Sequence, residues 1–344
     1  MRFLKLLAAA LLGAPAWVLA EPIFFQHRIA DPLNLLTAIP AFSSPGSGQF
    51  EIQVAHTIAN VFVGGIASSS SGDEFLLLDG EIRQLELRGQ LALGSCFSAA
   101  FDTRIINHSG GSFDNEIDQF HNIFGLPDAD RDETAFDEIN YVFSNTGTFD
   151  PSVTDFSASQ TQLLSSATGF GDVWLSVQRP TRCDPSTVGK KSQTSGHVRV
   201  GVKLPVGDTA AWASGGQAAV FADWHSAPNS IGKRGRLTTT LGASYSNEWD
   251  ERFAVLEPQR LLGYGAVVFD YRWSSTWQSV VQLDFRSPGF DSELTELGQW
   301  GSQIQIGLRA AVANRHRFEL SFTEDAIVDT APDIGVRFAY TYTP

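Results

Sequence analysis

From residue 49 onward, apolar and polar side chains alternate in short runs separated by turn-rich or acidic stretches. Period-two alternation puts one kind of residue on each face of a β-strand. Leu85, Leu87, Leu91 and Leu93 share one face, against Gln84, Glu86, Arg88 and Gln90 on the other. Phe97, Phe101 and Ile105 oppose Asp102 and Arg104, and the valines of 198–204 oppose Arg199 and Lys203. Toward the C-terminus Val267, Phe269, Tyr271 and Trp273 oppose Asp270 and Arg272, while Val281, Leu283 and Phe285 oppose Asp284 and Arg286. Ile304, Ile306 and Leu308 oppose Arg309, Phe318, Leu320 and Phe322 oppose Glu319, and Val336 and Phe338 oppose Arg337.

Twelve such runs fall at 49–61, 79–93, 96–107, 170–179, 195–205, 216–224, 236–247, 262–273, 276–286, 299–311, 315–323 and 333–342. Each is close to the roughly 9–11 residues that a tilted membrane strand needs. Strands in lipid must pair on both edges, so the sheet is expected to close. Connectors also alternate, short near 93–96, 274–276 and 312–316, long at 62–80, 107–169 and 286–298. The expected fold is all-β: a closed antiparallel up-and-down barrel of about 12 strands, with a long outer loop carrying a short helix. Trp224, Trp273 and Trp277 are expected at the periplasmic rim, and Trp249 and Trp300 at the outer rim. A secreted β-sandwich also alternates, but its outward polar face would carry lysines rather than Asp–Arg pairs.

The beginning of the chain sets the compartment. Arg2 and Lys5, the apolar run 6–12 and Val18-Leu19-Ala20 form a secretory signal cleaved after Ala20. Three parts follow: signal peptide 1–20, a periplasmic or lumen-inserted segment 21–48, and the barrel 49–344. Charged residues make up 18% of the chain and the net charge is -14, which argues against nucleic acid as a partner. The bacterial outer membrane is the expected site, with lipid and lipopolysaccharide as surroundings and the barrel-insertion machinery as an assembly partner.

With apolar faces toward lipid, the opposite faces line a lumen. Its expected lining is Glu86, Arg88, Asp102, Arg104, Arg199, Lys203, Asp270, Arg272, Asp284, Arg286, Arg309, Glu319 and Arg337. These charges read either as a cross-linked wall or as an arginine-leaning path for anions. In the long loop, Phe113, Ile117, Phe120, His121 and Phe124 fall on one helical face that could gate the mouth or pack on the rim. Asp128, Asp130 and Asp132 resemble the start of a calcium loop, but Glu133 stands where the turn glycine belongs, so a solvated acidic loop is favoured. Cys96 and Cys183 flank neighbouring strands at the periplasmic end and are expected to form a disulfide. No histidine has a serine two residues on, and Ser244 stands where a His-x-Ser-Asn hydrolase run would need its histidine, so catalysis and cofactors are not expected.

The stretches beginning at Asp31 (Asp-Pro-Leu-Asn-Leu-Leu), Leu76 (Leu-Leu-Leu-Asp-Gly-Glu-Ile-Arg), His108 (His-Ser-Gly-Gly), Ile117 (Ile-Asp-Gln-Phe-His), Phe124 (Phe-Gly-Leu-Pro-Asp), Gly169 (Gly-Phe-Gly-Asp-Val) and Gly201 (Gly-Val-Lys-Leu-Pro-Val-Gly-Asp) resemble an outer-membrane family, domain of unknown function 3187. The resemblance covers most of the mature chain and implies a barrel, with no activity attached. One departure from barrels generally is the end, where Thr343 and Pro344 follow the last aromatic residue. The sequence thus points to a channel or transporter for a small solute. The alternatives are a sealed structural or surface-binding barrel and, third, a lipid-acting hydrolase.

Overall fold

The alternating runs close into a ring in the computed structural model, which describes residues 31–42, 50–69, 72–94, 96–111, 137–181, 196–313, 315–325 and 334–344. Its strands in chain order are β1 (Phe50–Ser69), β2 (Gly72–Ala92), β3 (Ser98–Ser109), β4 (Asn140–Ser144), β5 (Gln160–Leu163), β6 (Ala167–Phe170), β7 (Val173–Pro180) and β8 (His197–Leu204). They continue as β9 (Ala219–His225), β10 (Asn229–Ile231), β11 (Gly235–Ser246), β12 (Leu261–Arg272), β13 (Trp277–Arg286), β14 (Gly301–Val312), β15 (His316–Asp325) and β16 (Ile334–Tyr342). Two short helices, α1 (Pro32–Leu36) and α2 (Thr295–Gly298), and a 3-10 turn over Glu251–Leu256 lie among them.

Twelve strands make the wall: β1, β2, β3, β7, β8, β9 and β11 to β16. Each pairs antiparallel with both neighbours, and β1 on β16 closes the ring, with Ile52 opposite Tyr342. The other four extend it. β10 pairs with β11 beyond β9, and β4 and β5 add a flap to the outer half of β2. β6 and β7 both pair with β3, on either side of a break at Gly171 and Asp172. Breaks of this kind re-aim a side chain. Here Asp172 is buried and accepts from Lys203 on β8, while Gly171 leaves room for Arg104, whose Cγ would stand 2.7 Å from a Cβ there.

β1 and β2, at 20 and 21 residues, are about twice the length a membrane strand needs. A loop was expected over 62–80; instead the hairpin runs on through it. Val61, Val63, Leu76 and Leu78 join the main buried cluster, and Phe62 on the opposite face is buried as well. Both faces are covered there, so alternation stops while the strand continues.

Within the wall, alternate residues divide sharply. Leu320 is 55% exposed, while Glu319 beside it is 4% exposed. Leu241, Val200, Ile306 and Phe338 are exposed in the same way around the ring. A contiguous apolar belt around a polar interior is inverted relative to a water-soluble barrel and suits acyl chains. No described helix is long and apolar enough to cross a membrane. Leu320→Arg should cost about 2–4 kcal/mol of folding stability in bilayers, read from the urea midpoint of the heat-modifiable band shift. On a water-facing surface the same change would stay within about 0.5 kcal/mol.

Trp224, Trp273, Trp277 and Trp300 are exposed at strand ends. Trp249, in the connector between β11 and β12, turns inward rather than toward lipid. It is half-buried, edge-on to Phe290 at 5.8 Å, and packs against the main cluster.

Candidate functional site

The lumen holds a piece of the chain that precedes the first strand. Asp31 caps α1, accepting from the Leu33 and Asn34 amides at 2.7 and 3.0 Å, with Pro32 preset in the first turn. All five residues of α1 are buried, as a helix apolar on nearly every side requires. Leu33, Leu35 and Leu36 pack with Val61, Val63, Leu76, Trp212, Phe253 and Leu297. These come from the outer ends of β1 and β2 and from the outer connectors, so α1 sits just inside the outer mouth. Residues 37–42 then pass into the middle of the lumen, where Phe42 meets Tyr264 at 6.2 Å edge-on and packs with Ala266, Val268 and Val280.

The last turn of α1 and the extended residues after it have carbonyl oxygens that neither helix nor ladder satisfies, and leaving one unbonded is costly. Four lumen side chains meet them. Arg104 Nη2 donates to Leu35 O at 3.3 Å and Gln217 Nε2 to Leu36 O at 2.6 Å. Arg199 Nη1 reaches Ala41 O at 2.9 Å, and Arg88 Nη1 reaches Phe42 O at 3.0 Å. Beside this segment a void of about 10 Å³ lies among Pro40, Ala41, Arg88, Asp102, Trp174 and Arg199. That is room for about one water molecule.

The expected lumen charges all lie on the face opposite the belt. All are buried except Asp102 and Arg272, which are half-buried. The structure brings them together in separate groups. Glu319 binds Arg309 Nε at 3.1 Å and Arg337 Nη1 at 2.5 Å. Arg337 also reaches Glu86 at 3.2 Å and Gln53 at 3.3 Å, which links β15, β16, β1 and β2. Arg199 forks onto Asp223, with Nε 3.1 and 3.0 Å from its two oxygens. Lys203 pairs with Asp172 at 2.7 Å, and Ser214 donates to both oxygens of that carboxylate. Among the described residues the Asp284 carboxylate is bonded by the amides of Gln282 and Gln305, and Asp31 lies close enough to Arg286 to act on it electrostatically.

Asp223 is one residue that sequence reading passed over. Besides Arg199 it takes His225 Nε2 at 2.9 Å and the Tyr264 hydroxyl at 3.1 Å, and His225 stacks on His197 at 4.1 Å. Tyr264 reaches it because Gly242 stands opposite, where a Cβ would come within 2.5 Å of the ring. The signal was present: Phe221, Asp223 and His225 alternate with outward Val220 and Trp224. Trp212 carried no such signal, and Gln217 and Asp172, at the edges of the runs read over 216–224 and 170–179, prove to sit in connectors just outside β9 and β7. Beside Trp212 in the mouth, burial pushes the Tyr141 hydroxyl well above its usual pKa, with Asp31, Asp79 and Glu81 adding to the shift.

The expected gate residues Phe113, Ile117, Phe120, His121 and Phe124, and the calcium candidates Asp128, Asp130 and Asp132, lie outside the described residues. Among the described residues no group of three or more His, Cys, Asp or Glu side chains is placed to hold a metal. Cys96 is disulfide-bonded, and Cys183, the one other cysteine in the sequence, also lies outside the described residues. Ser244 and Ser246 are buried on the lumen face, away from lipid.

A family model described as "Protein of unknown function (DUF3187)" matches residues 24–343. No curated protein matches the sequence. Among solved structures, the COG4313 outer membrane channel from Pseudomonas putida F1 is 12% identical, with a TM-score of 0.51 over 88% of this chain and 99% of that one. At that identity it shares the fold. The NanC porin (8% identical, TM-score 0.39, covering 86% and 100%) and the Pseudomonas putida toluene transporter TodX (7% identical, TM-score 0.37, covering 87% and 91%) are more distant.

Proposed function

Because the chain belongs to DUF3187, a family defined without an activity, its function has to come from the lumen, and we propose an outer-membrane channel for small solutes, closed by residues 31–42. The observation that carries this is the way the segment is held. It is no part of the wall, and side chains grip it through main-chain oxygens, contacts that water can replace. The apolar belt supports a barrel set in lipid, with lipopolysaccharide as the expected neighbour of the outer connectors. Likeness to a channel supports this reading through the fold alone.

Magnitudes set the resting state. A hydrogen bond to a charged group is worth about 1.5–3 kcal/mol and a buried leucine about 1.5–3 kcal/mol. Three such leucines, three such bonds from Arg88, Arg104 and Arg199, and a weaker neutral one from Gln217 keep the wild-type lumen shut, so opening needs a trigger or weakened contacts. The same leucine packing favours a second reading, a permanently sealed structural barrel. Planar-bilayer recording separates the two. The full chain carrying Arg104→Gln with Gln217→Ala should show discrete conductance steps at least about tenfold more often than wild type, equivalent to about 1.4 kcal/mol of lost closure. If the double variant folds, inserts and stays as silent as wild type, the channel reading falls and the sealed barrel stands.

A further inference from the structure

Asp284 is 1% exposed on the lumen face of β13. Its carboxylate accepts from Gln282 Nε2 at 2.9 and 3.1 Å and from Gln305 Nε2. Among the described residues it pairs with no cation. Glu319 has two, Arg309 and Arg337, while Asp223 has Arg199 and Asp172 has Lys203.

The surroundings of Asp284 offer more acceptors. Gln303 is its direct neighbour on β14, and the Oε1 atoms of both Gln303 and Gln305 are buried without a bonding partner. On the other side its neighbour is Ala266 of β12, which packs in the cluster formed with Phe42 of the inserted segment. A carboxylate in a dry site without counter-charge is strongly disfavoured, and so are orphaned amide oxygens beside it. One ligand class answers these groups: a cation able to exchange its water shell for carboxylate and carbonyl oxygens, which would take the Asp284 carboxylate and the Gln303 oxygen and draw in the Gln305 oxygen by turning the amide that now donates to Asp284. A single carboxylate among neutral oxygens fits one positive charge better than two, since divalent sites use several carboxylates.

We propose that Asp284, with Gln303 and Gln305, forms a binding site for a singly charged cation, an alkali ion or a small protonated amine, uncovered when residues 31–42 withdraw. The site rests on the channel reading and gives it a sign. The arginine-leaning wall suggested anions, but Arg199, Arg309 and Arg337 are bonded to carboxylates of the wall strands themselves, not of the segment. Asp284 has no such partner.

The test uses the full chain carrying Arg104→Gln and Gln217→Ala in planar bilayers under a KCl gradient, then under methylammonium chloride. The reversal potential should lie on the cation side, and adding Asp284→Asn should lower the cation-to-anion permeability ratio by about threefold or more. A larger Asp284 effect in methylammonium assigns the site to amines, and a larger effect in potassium to alkali ions. If Asp284→Asn does not fold, Gln303→Leu carries the test, since it removes one acceptor and leaves the carboxylate. Currents whose selectivity is unchanged by either substitution overturn the cation site and leave the channel intact. Complete silence in the opened background overturns both.

Discussion

Replacing Arg337 with methionine should remove about 3–5 kcal/mol of stability, because it breaks a buried ionic group from one side. Its guanidinium is 1% exposed and bonds Glu319, Glu86 and Gln53, so four consecutive strands of the ring meet at one side chain. Methionine fills similar volume and supplies no charge. Glu319 keeps Arg309, but both carboxylates lose a donor in a dry interior. The urea midpoint of the folded band should fall sharply. Adding Glu86→Gln should restore part of the loss, since a neutral amide tolerates burial better. A midpoint within about 0.5 kcal/mol of wild type would mean that the network contributes nothing across the seam.

Trp212→Ala should cost a comparable amount, about 3–5 kcal/mol. The indole is fully buried, edge-on to Phe253 at 5.5 Å and 5.9 Å from Tyr141, where it roofs Leu35 and Leu36. Its backbone has φ 51°, a left-handed conformation that suits glycine better than any residue with a Cβ. Trp212→Gly should therefore be milder than Trp212→Ala by about 1 kcal/mol, the reverse of the usual order. Hydrogen exchange at the Leu35 and Leu36 amides should rise in both variants. If exchange there stays at the wild-type rate, Trp212 does not close the mouth.

What the sequence revealed follows from where each residue's energy comes from. Strands faced by lipid on one side and ions on the other must alternate, so the wall and its inward charges, from Glu86 to Arg337, were visible residue by residue. Alternation failed where both faces are covered, as at Val61 to Val63, and the hairpin was therefore read as a loop. Pairing between lumen charges was not legible, because Arg337 meets Glu86 across 251 positions of sequence. The inserted segment was the hardest part. Its leucines showed that it packs on something, but four of its anchors are main-chain oxygens, which every residue carries.

The closing contact between β1 and β16 has a consequence for how the protein is made. Ile52 and Tyr342 are register partners, so the ring joins only after nearly the whole polypeptide exists. Until then both terminal strands expose unpaired edges, the condition that invites mispairing with other chains. The sequence separation at this joint makes it the slowest kind of contact to form by chance. Biogenesis must therefore shelter an open sheet from its neighbours until the final hairpin arrives, and any truncation before β16 should be cleared by quality-control proteases rather than accumulate in the envelope.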